Sequence, residues 1–340
     1  MSVWLLPIEP FEERYTADWL RWWPDGLRAA GLDVELVLGA QPVGERAGGE
    51  FLDPTATWQW KGTQVAELAR RWAEVQDGDV VLTLDVWGPA TTAALYMRHT
   101  TGRRVRVVGF YHAGASDPHD FLARTGCRTW ALDVERGWAR GCDLLLCGSR
   151  AAERMLRDNL GVHDDPTVRG AHVAVTGYPI MRGELLRHAS PWALRERLVV
   201  FPHRLAPEKQ PEQFDALRGR HAALYPDAPA TTWVRSRDVY AGKESYHQLL
   251  GRARVVVSTA TQETFGIAMQ EGIALGAWAV APRRLSYPEV VRPGSGHLYD
   301  DLTAAAHAVE RSLQSDSPPT WDGYHERAVQ RAAQAILELS

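Results

Sequence analysis

The chain has 340 residues, 45% of them hydrophobic, which is enough for two domains with packed cores. Lys and Arg total 38 against 42 Asp and Glu, a net charge of −4, and neither half is basic, which excludes nucleic-acid or membrane binding through bulk charge. Cys127, Cys142 and Cys147 form no Cys-x-x-Cys pair and no apolar run approaches membrane-spanning length, which excludes a disulfide framework, a structural zinc site and a membrane span.

Strand-length apolar runs begin at Val3 (VWLLPI), Asp33 (DVELVLG), Asp79 (DVVLTLD), Val105 (VRVVGFYHA), Cys142 (CDLLLCGS) and His172 (HVAVTGYP). Their apolarity is continuous rather than alternating, as in strands buried on both faces. The stretches Thr16 to Ala30, Lys61 to Val75, Ala90 to Thr100, Thr129 to Arg140 and Arg150 to Leu160 have helical spacing. Together they predict a first parallel α/β domain over 1–180. The rhythm restarts after Pro191 with RLVVFPHRL, TTWVRSR, RVVVSTA and AWAVAP, separated by helical segments near 212–224, 244–252 and 265–275. This predicts a second doubly wound domain over 181–320 and a closing helix in 321–340. Open α/β sheets hold ligands at the carboxyl ends of their strands, so chemistry is expected in a cleft between the two domains.

The segment VVVSTATQETFGIAMQEGIALG runs from a buried strand through a polar loop into a helix expected to begin near Thr264. Such a helix end offers amides and a positive dipole end to phosphate or sugar oxygens; Gly266 permits close approach, and Glu263 and Glu271 frame the turn. In VVFPHRLAPEKQPEQF a strand ends at Pro202 and the next loop presents His203, Arg204 and Lys209. Arg forks onto two phosphate oxygens and Lys supplies a point charge, a pair suited to a leaving diphosphate. The alternative is a pair of solvated cations neutralised by Glu208 and Glu212. Only Lys61, Lys209 and Lys243 are lysines, an imbalance that fits gene base composition and from which no function is read. Asp77-Gly-Asp79 has the form of a metal-binding Asp-x-Asp but precedes a strand and reads as a turn. It is assigned no metal, and no cofactor is expected; no nucleophile elbow, Walker loop or dinucleotide glycine fingerprint occurs, so hydrolase, kinase and dehydrogenase readings lose their anchors.

Arg204-LAPE-Lys209 followed by Glu263-TFGIAMQ-Glu271 resembles the nucleotide-sugar domain of retaining GT-B glycosyltransferases of family 4, over about Val199 to Glu289. The resemblance implies an α/β GT-B fold, two Rossmann-like domains facing across a cleft, and transfer of a sugar from a nucleotide-sugar with retained configuration. It further implies that Arg204 and Lys209 hold the diphosphate, with His203 and Thr264 beside them in donor binding. Glu271 would bind the nucleotide ribose, Glu263 would lie near the donor sugar, and the amides of Phe265, Gly266 and Ile267 would receive oxygens. In the front domain, VRVVGFYHAGASDPHDF ends a strand at His112, which the resemblance places beside the donor sugar. Asp117 is an acceptor-side candidate or the start of an Asp-Pro turn.

The first loop, PIEPFEERYTADWLRWW, departs from the glycine-rich turn of many family members. Glu9, Arg14, Tyr15 and Thr16 are acceptor-side candidates there, although Thr16 equally suits a helix cap. Asp85 and Trp87 end another strand, where the indole could stack on a sugar or base, or pack in the core. Segments along the whole chain resemble bacteriophage-associated glycosyltransferases linked to modified DNA, and PHR, TFGIAMQEG and YPE resemble the enzymes that mannosylate queuosine in tRNA. The acceptor so implied is a hydroxymethylated pyrimidine in DNA, 5-hydroxymethylcytosine foremost. Queuosine tRNA, a small-molecule acceptor and a noncatalytic sugar-nucleotide-binding protein are the alternatives. Arginines 98, 103, 104, 106, 124, 128, 136 and 140 could form a basic face for nucleic acid or an ordinary solvated surface. The expected location is the cytoplasm, a host's if the gene is a phage's.

Overall fold

The apolar runs become the strands of two parallel sheets in the computed structural model, which describes residues 1–11, 14–40, 54–124, 126–160 and 172–339. One unit comprises Met1–Gly148, Ala152–Thr176 and Arg327–Ser340, and the other Ser149–Ala151 and Gly177–Glu326. The crossing therefore lies at 176/177, against the expected 180/181, and the last residues belong to the first unit.

The first unit runs β1 (Ser2–Leu6), α1 (Tyr15–Ala29), β2 (Asp33–Leu36), α2 (Pro54–Arg71), β3 (Val80–Thr83), α3 (Pro89–Thr101), β4 (Arg106–Tyr111), α4 (Phe121–Arg124), α5 (Arg128–Gly141), β5 (Leu144–Cys147), α6 (Arg150–Leu160) and β6 (His172–Val175). Its strand order is β2-β1-β3-β4-β5-β6, all parallel. The inner strands β3 and β5 are buried along their whole length, whereas the edge strands β2 and β6 are not. Trp4, Leu6, Val81, Val107, Leu145 and Trp138 meet in the core beneath the helices.

The second unit runs α7 (Arg182–Leu185), β7 (Leu198–Phe201), α8 (Pro211–Leu224), β8 (Thr232–Arg235), α9 (Lys243–Arg252), β9 (Val255–Val257), α10 (Ile267–Ala274), β10 (Trp278–Pro282), α11 (Tyr287–Val290), β11 (Gly296–Tyr299) and α12 (Leu302–Leu313). The order is β11-β10-β9-β7-β8, with Val199, Phe201, Phe214, Val257 and Val280 in its core. Then α13 (Ala328–Leu337) packs on α1, where a Cβ added at Gly26 would lie 2.7 Å from Val329 Cγ1.

Three elements correct the sequence expectation. The edge strand β11 and the helix α12 were not expected, because GHLY lacks the continuous apolarity of a doubly covered strand. Asp301 caps α12 by accepting from the Ala304 amide at 2.8 Å. Helix α10 starts at Ile267, three residues later than expected, because Gly266 takes the left-handed values φ 88° and ψ 48°.

Strand order reverses between β1 and β3 in the first unit and between β7 and β9 in the second. Loops leaving such neighbouring strands depart in opposite directions, which opens each sheet's carboxyl edge to a ligand.

Candidate active site

In the second unit the loops after β7 and β9 meet at this reversal. Lys209 reaches across it: its Nζ donates to the Gln262 carbonyl at 2.6 Å and to Glu263 Oε2 at 3.1 Å. Burial pushes the Glu263 carboxyl up, but the Lys209 ammonium, His203 and the Gly266 amide outweigh burial and hold it below its ordinary value. The turn presenting Lys209 is fixed by Gln210, at φ 52°, and by Thr259 Oγ1, which lies 2.8 Å from the carbonyls of both Lys209 and Gln210.

His203 is 5% exposed and its Nε2 has no hydrogen-bond partner among the described residues. Burial, then the Lys209 charge, lowers its pKa to about 3, so the imidazole is neutral at neutral pH. Arg204 donates to Glu208 Oε1 at 2.6 Å, so the alternative reading of the loop, cations neutralised by nearby glutamates, is realised for Arg204. Lys209 instead pairs with the β9 loop. Glu271, on α10, receives Tyr246 Oη at 3.3 Å and faces His247 Nε2 at 3.3 Å, both from α9.

The loop amides differ from the expectation. Phe265 N–H donates to Glu263 Oε1 at 3.4 Å and the Gly266 amide bonds to the same carboxyl, so these two amides orient Glu263. The Phe265 ring stacks on Tyr178 at 4.5 Å, and the Thr264 carbonyl accepts Ser149 Oγ–H at 2.6 Å. Ile267 opens α10. A Cβ at Gly266 would lie 3.3 Å from Tyr287 Cε1 on a backbone already left-handed, so glycine is required there.

In the first unit His112 follows β4, and its Nε2 lies 2.6 Å from the Leu84 carbonyl. A carbonyl only accepts, so Nε2 carries the proton and Nδ1 the lone pair. Burial lowers the His112 pKa more than Asp85 raises it, leaving the ring neutral at neutral pH. Asp85 accepts from Lys61 Nζ at 2.8 Å and from the Trp87 amide at 3.0 Å. Burial opposes its ionisation, but Lys61 and then His112 prevail and keep its pKa below the ordinary value. Glu9, buried after β1, accepts from Thr57 Oγ1 at 2.8 Å. Thr57 and Lys61 lie one turn apart on α2, so one helix face ties Glu9 and Asp85 across the reversal between β1 and β3.

The other acceptor-side candidates are engaged locally. Arg14 sits over the Phe11 ring at 5.0 Å, Tyr15 lies against Trp19 at 4.9 Å, and Thr16 Oγ1 accepts the Phe11 amide at 3.2 Å. Thr16 is inside α1, whose cap position is Arg14, so the helix-cap reading is corrected. Asp117 Oδ1 accepts the His119 amide at 2.9 Å, the turn that was the alternative for this residue. Asp77 pairs with Arg104, and Asp79 ties Ser2 N, Trp4 Nε1 and Gln76 N at the amino edge of the sheet. Among the described residues no group of three or more His, Cys, Asp or Glu side chains could hold a metal, and no helix is long and apolar enough to cross a membrane.

The arginine run does not form one face. Arg106 opens β4 and shares Asp143 with Arg98, while Arg104 pairs with Asp77, all at the amino edge. Arg128 Nε donates to the Ala115 carbonyl beyond the carboxyl end of β4, and Arg136 pairs with Asp133 on α5. The edges of β4 are six residues apart, about 20 Å.

Sequence reasoning missed Lys61 and Glu135. In an arginine-dominated chain, two of the three lysines sit in carboxylate pairs at strand ends, so the rarity of lysine was a usable signal for a compact point charge. Glu135 gave none, since it lies among charged residues on an ordinary amphipathic helix.

Two kinds of comparison bear on this geometry. Residues 24–169 match the family model Glycosyltransferase Family 4. The chain is similar to the solved sucrose-phosphate synthase of Thermosynechococcus elongatus, with 16% identity and a TM-score of 0.64 over 100% of this chain and 94% of that one. It is similar also to the α,α-trehalose-phosphate synthase (UDP-forming) of Burkholderia vietnamiensis, with 12% identity and a TM-score of 0.62 over 100% and 96%. The lipopolysaccharide outer core galactosyltransferase WaaB, in its apo form, matches with 14% identity and a TM-score of 0.61 over 100% of both chains. These likenesses show the fold: two parallel-sheet Rossmann-like units of the GT-B type.

Proposed function

We propose that this protein is a glycosyltransferase that moves a sugar from a nucleotide-sugar to a hydroxyl-bearing acceptor with retained anomeric configuration. The observation that carries the reading is the Lys209–Glu263 pair, held at the carboxyl edge where β7 and β9 part. An ammonium there stabilises the negative charge that develops on a departing diphosphate, and Arg204, which spends one guanidinium nitrogen on Glu208, is assigned to the same diphosphate through the rest of its fork. Glu271, oriented by Tyr246, is assigned to the ribose, and Glu263 to the donor sugar. His112, on the first unit, is assigned to the donor sugar. The family match in the first unit and the likeness to a UDP-forming trehalose-phosphate synthase agree with a nucleotide-sugar donor. No metal or further cofactor is assigned.

The acceptor tested first is 5-hydroxymethylcytosine in DNA. Its support is the sequence resemblance, together with Trp87 and the exposed Trp130, whose rings lie 6.2 Å apart and offer stacking surface to a base. A small hydroxylated acceptor is the second reading, favoured by the ion pairs that already engage Arg98, Arg104 and Arg106.

The deciding experiment incubates the protein with a panel of nucleotide-sugars and with unmodified DNA, hydroxymethylated DNA and small hydroxylated acceptors, read by nucleoside mass spectrometry and by NMR of the new anomeric centre. Mass gain on hydroxymethylated DNA alone supports the DNA acceptor; gain on small acceptors alone replaces it. Inverted configuration rejects the retaining assignment. Loss of activity in a chelator, restored by a divalent ion, rejects the metal-free one.

A further inference from the structure

Glu135 lies on α5, outside every motif considered above, yet it is 1% exposed. Its Oε1 accepts from Trp87 Nε1 at 3.0 Å and from the Ala115 amide at 2.7 Å, and the Ser116 amide bonds to the carboxyl as well. These donors belong to two separate loops, one after β3 and one after β4. The second carries His112 at its start and Asp117 at its tight turn. Gly114 makes the approach feasible, since a Cβ there would lie 1.9 Å from Glu135 Oε1 and 2.9 Å from Trp87 Nε1. Oε2 is buried without a hydrogen-bond partner among the described residues.

We propose that Glu135 is a positioning residue whose buried carboxyl ties the Trp87 indole to the backbone of residues 114–116 and thereby fixes the turn that carries His112. The proposal rests on the reading in which His112 approaches the donor sugar.

The tether is sensitive to protonation because its environment disfavours charge. Burial, and to a smaller extent Asp120, raises the Glu135 pKa to about 7 against the pull of its three hydrogen-bond donors. The titratable and charged groups around it are Asp120, Asp117 and Tyr111 on β4 and its loop, and Arg128, which donates to the Ala115 carbonyl. Tyr111 stays neutral, its hydroxyl 2.6 Å from Ser116 Oγ, and so supplies no compensating charge. Below pH 7 Glu135 is a neutral acid that accepts these donors more weakly. Above pH 7 the carboxylate accepts the same three donors as charge-assisted hydrogen bonds, and the tether tightens.

The test compares wild type with Glu135→Gln, which keeps the accepting oxygen and removes the titration, between pH 5.5 and 8.5. Turnover with an accepted nucleotide-sugar is measured alongside the Trp87 indole N–H resonance, assigned by its loss in Trp87→Phe. Wild type is expected to show a shift of that resonance and a roughly three- to tenfold fall in kcat as pH drops, both centred near pH 7. Glu135→Gln is expected to abolish both transitions while staying within about threefold of the low-pH kcat. If that variant unfolds, Glu135→Asp, which shortens the tether, is expected to move the resonance and lower kcat at every pH. An unchanged resonance profile in Glu135→Gln, or a flattened resonance with an unchanged kcat profile, overturns the positioning role alone. Absence of turnover by the wild-type protein at any pH with any donor rejects glycosyl transfer and the positioning role with it.

Discussion

The Lys209 ammonium lies 3.1 Å from Glu263 Oε2 although 54 residues separate the two in sequence. They meet because β7 and β9 are neighbours in the sheet while the chain between them travels out to β8 and back. The same ammonium is the one proposed to meet a leaving diphosphate. Lys209→Ala is therefore expected to lower kcat about 100-fold or more, the loss typical of removing one preorganised charge or donor from a reacting centre. It also leaves Glu263 without its ammonium, with a stability loss of about 1–3 kcal/mol in urea unfolding. Wild-type turnover in this variant rejects the role.

Glu271→Gln is expected to act on donor affinity. Glu271 faces Tyr246 and His247, and it is assigned to a ribose hydroxyl. Loss of a charged hydrogen-bond acceptor is worth about 1–2 kcal/mol, or about a tenfold rise in the donor Kd, with kcat changed less than threefold. Calorimetric titration with the nucleotide-sugar measures it, and a drop confined to kcat contradicts the assignment.

His203 sets a pH dependence of stability. Its ring protonates near pH 6.5 when unfolded but only near pH 3 when folded, so between these values the unfolded chain binds the extra proton. Stability is thus expected to fall as pH drops from 6.5 towards 3, by roughly a few kcal/mol from this group. Urea midpoints at pH 4, 5 and 6.5 should show a smaller slope in His203→Gln than in wild type. Equal slopes remove His203 as the cause.

Arg103, Arg104 and Arg106 lie at the amino edge of the first sheet, across the length of β4 from His112. Their combined replacement by Gln is expected to leave donor affinity and transfer to a small acceptor within about twofold, since exposed ion pairs contribute little. A tenfold loss in steady-state kinetics would mean that this edge takes part in the reaction.

Ten of the eleven strands among the described residues are legible in the sequence: inner strands covered on both faces are apolar throughout, as LLLC in β5 and LVVF in β7 are, and the edge strands β2, β6 and β8 lie within the runs DVELVLG, HVAVTGYP and TTWVRSR. β11, also an edge strand, is the exception: GHLY carries a glycine and a histidine and no continuous signal. The candidate site residues were named through the family resemblance: Arg204, Lys209, Glu263 and Glu271 carry its motif, and His112 follows β4, where a histidine taken alone reads as a loop residue.

The partners of those residues could not be named, since partnership depends on which strands become neighbours. Arg204 took the local Glu208, four residues on, whereas Lys209 took Glu263 from another loop. Glu135 is the extreme case. One carboxylate on a helix surface pattern is indistinguishable from its solvated neighbours until packing removes water from it and brings Trp87 and Ala115 within hydrogen-bond distance. Sequence determines which side chains are apolar, charged or turn-forming, because these are properties of each residue. Tertiary structure decides which charges are desolvated and paired, because desolvation and Coulomb attraction depend on distances that exist only once the sheets have formed.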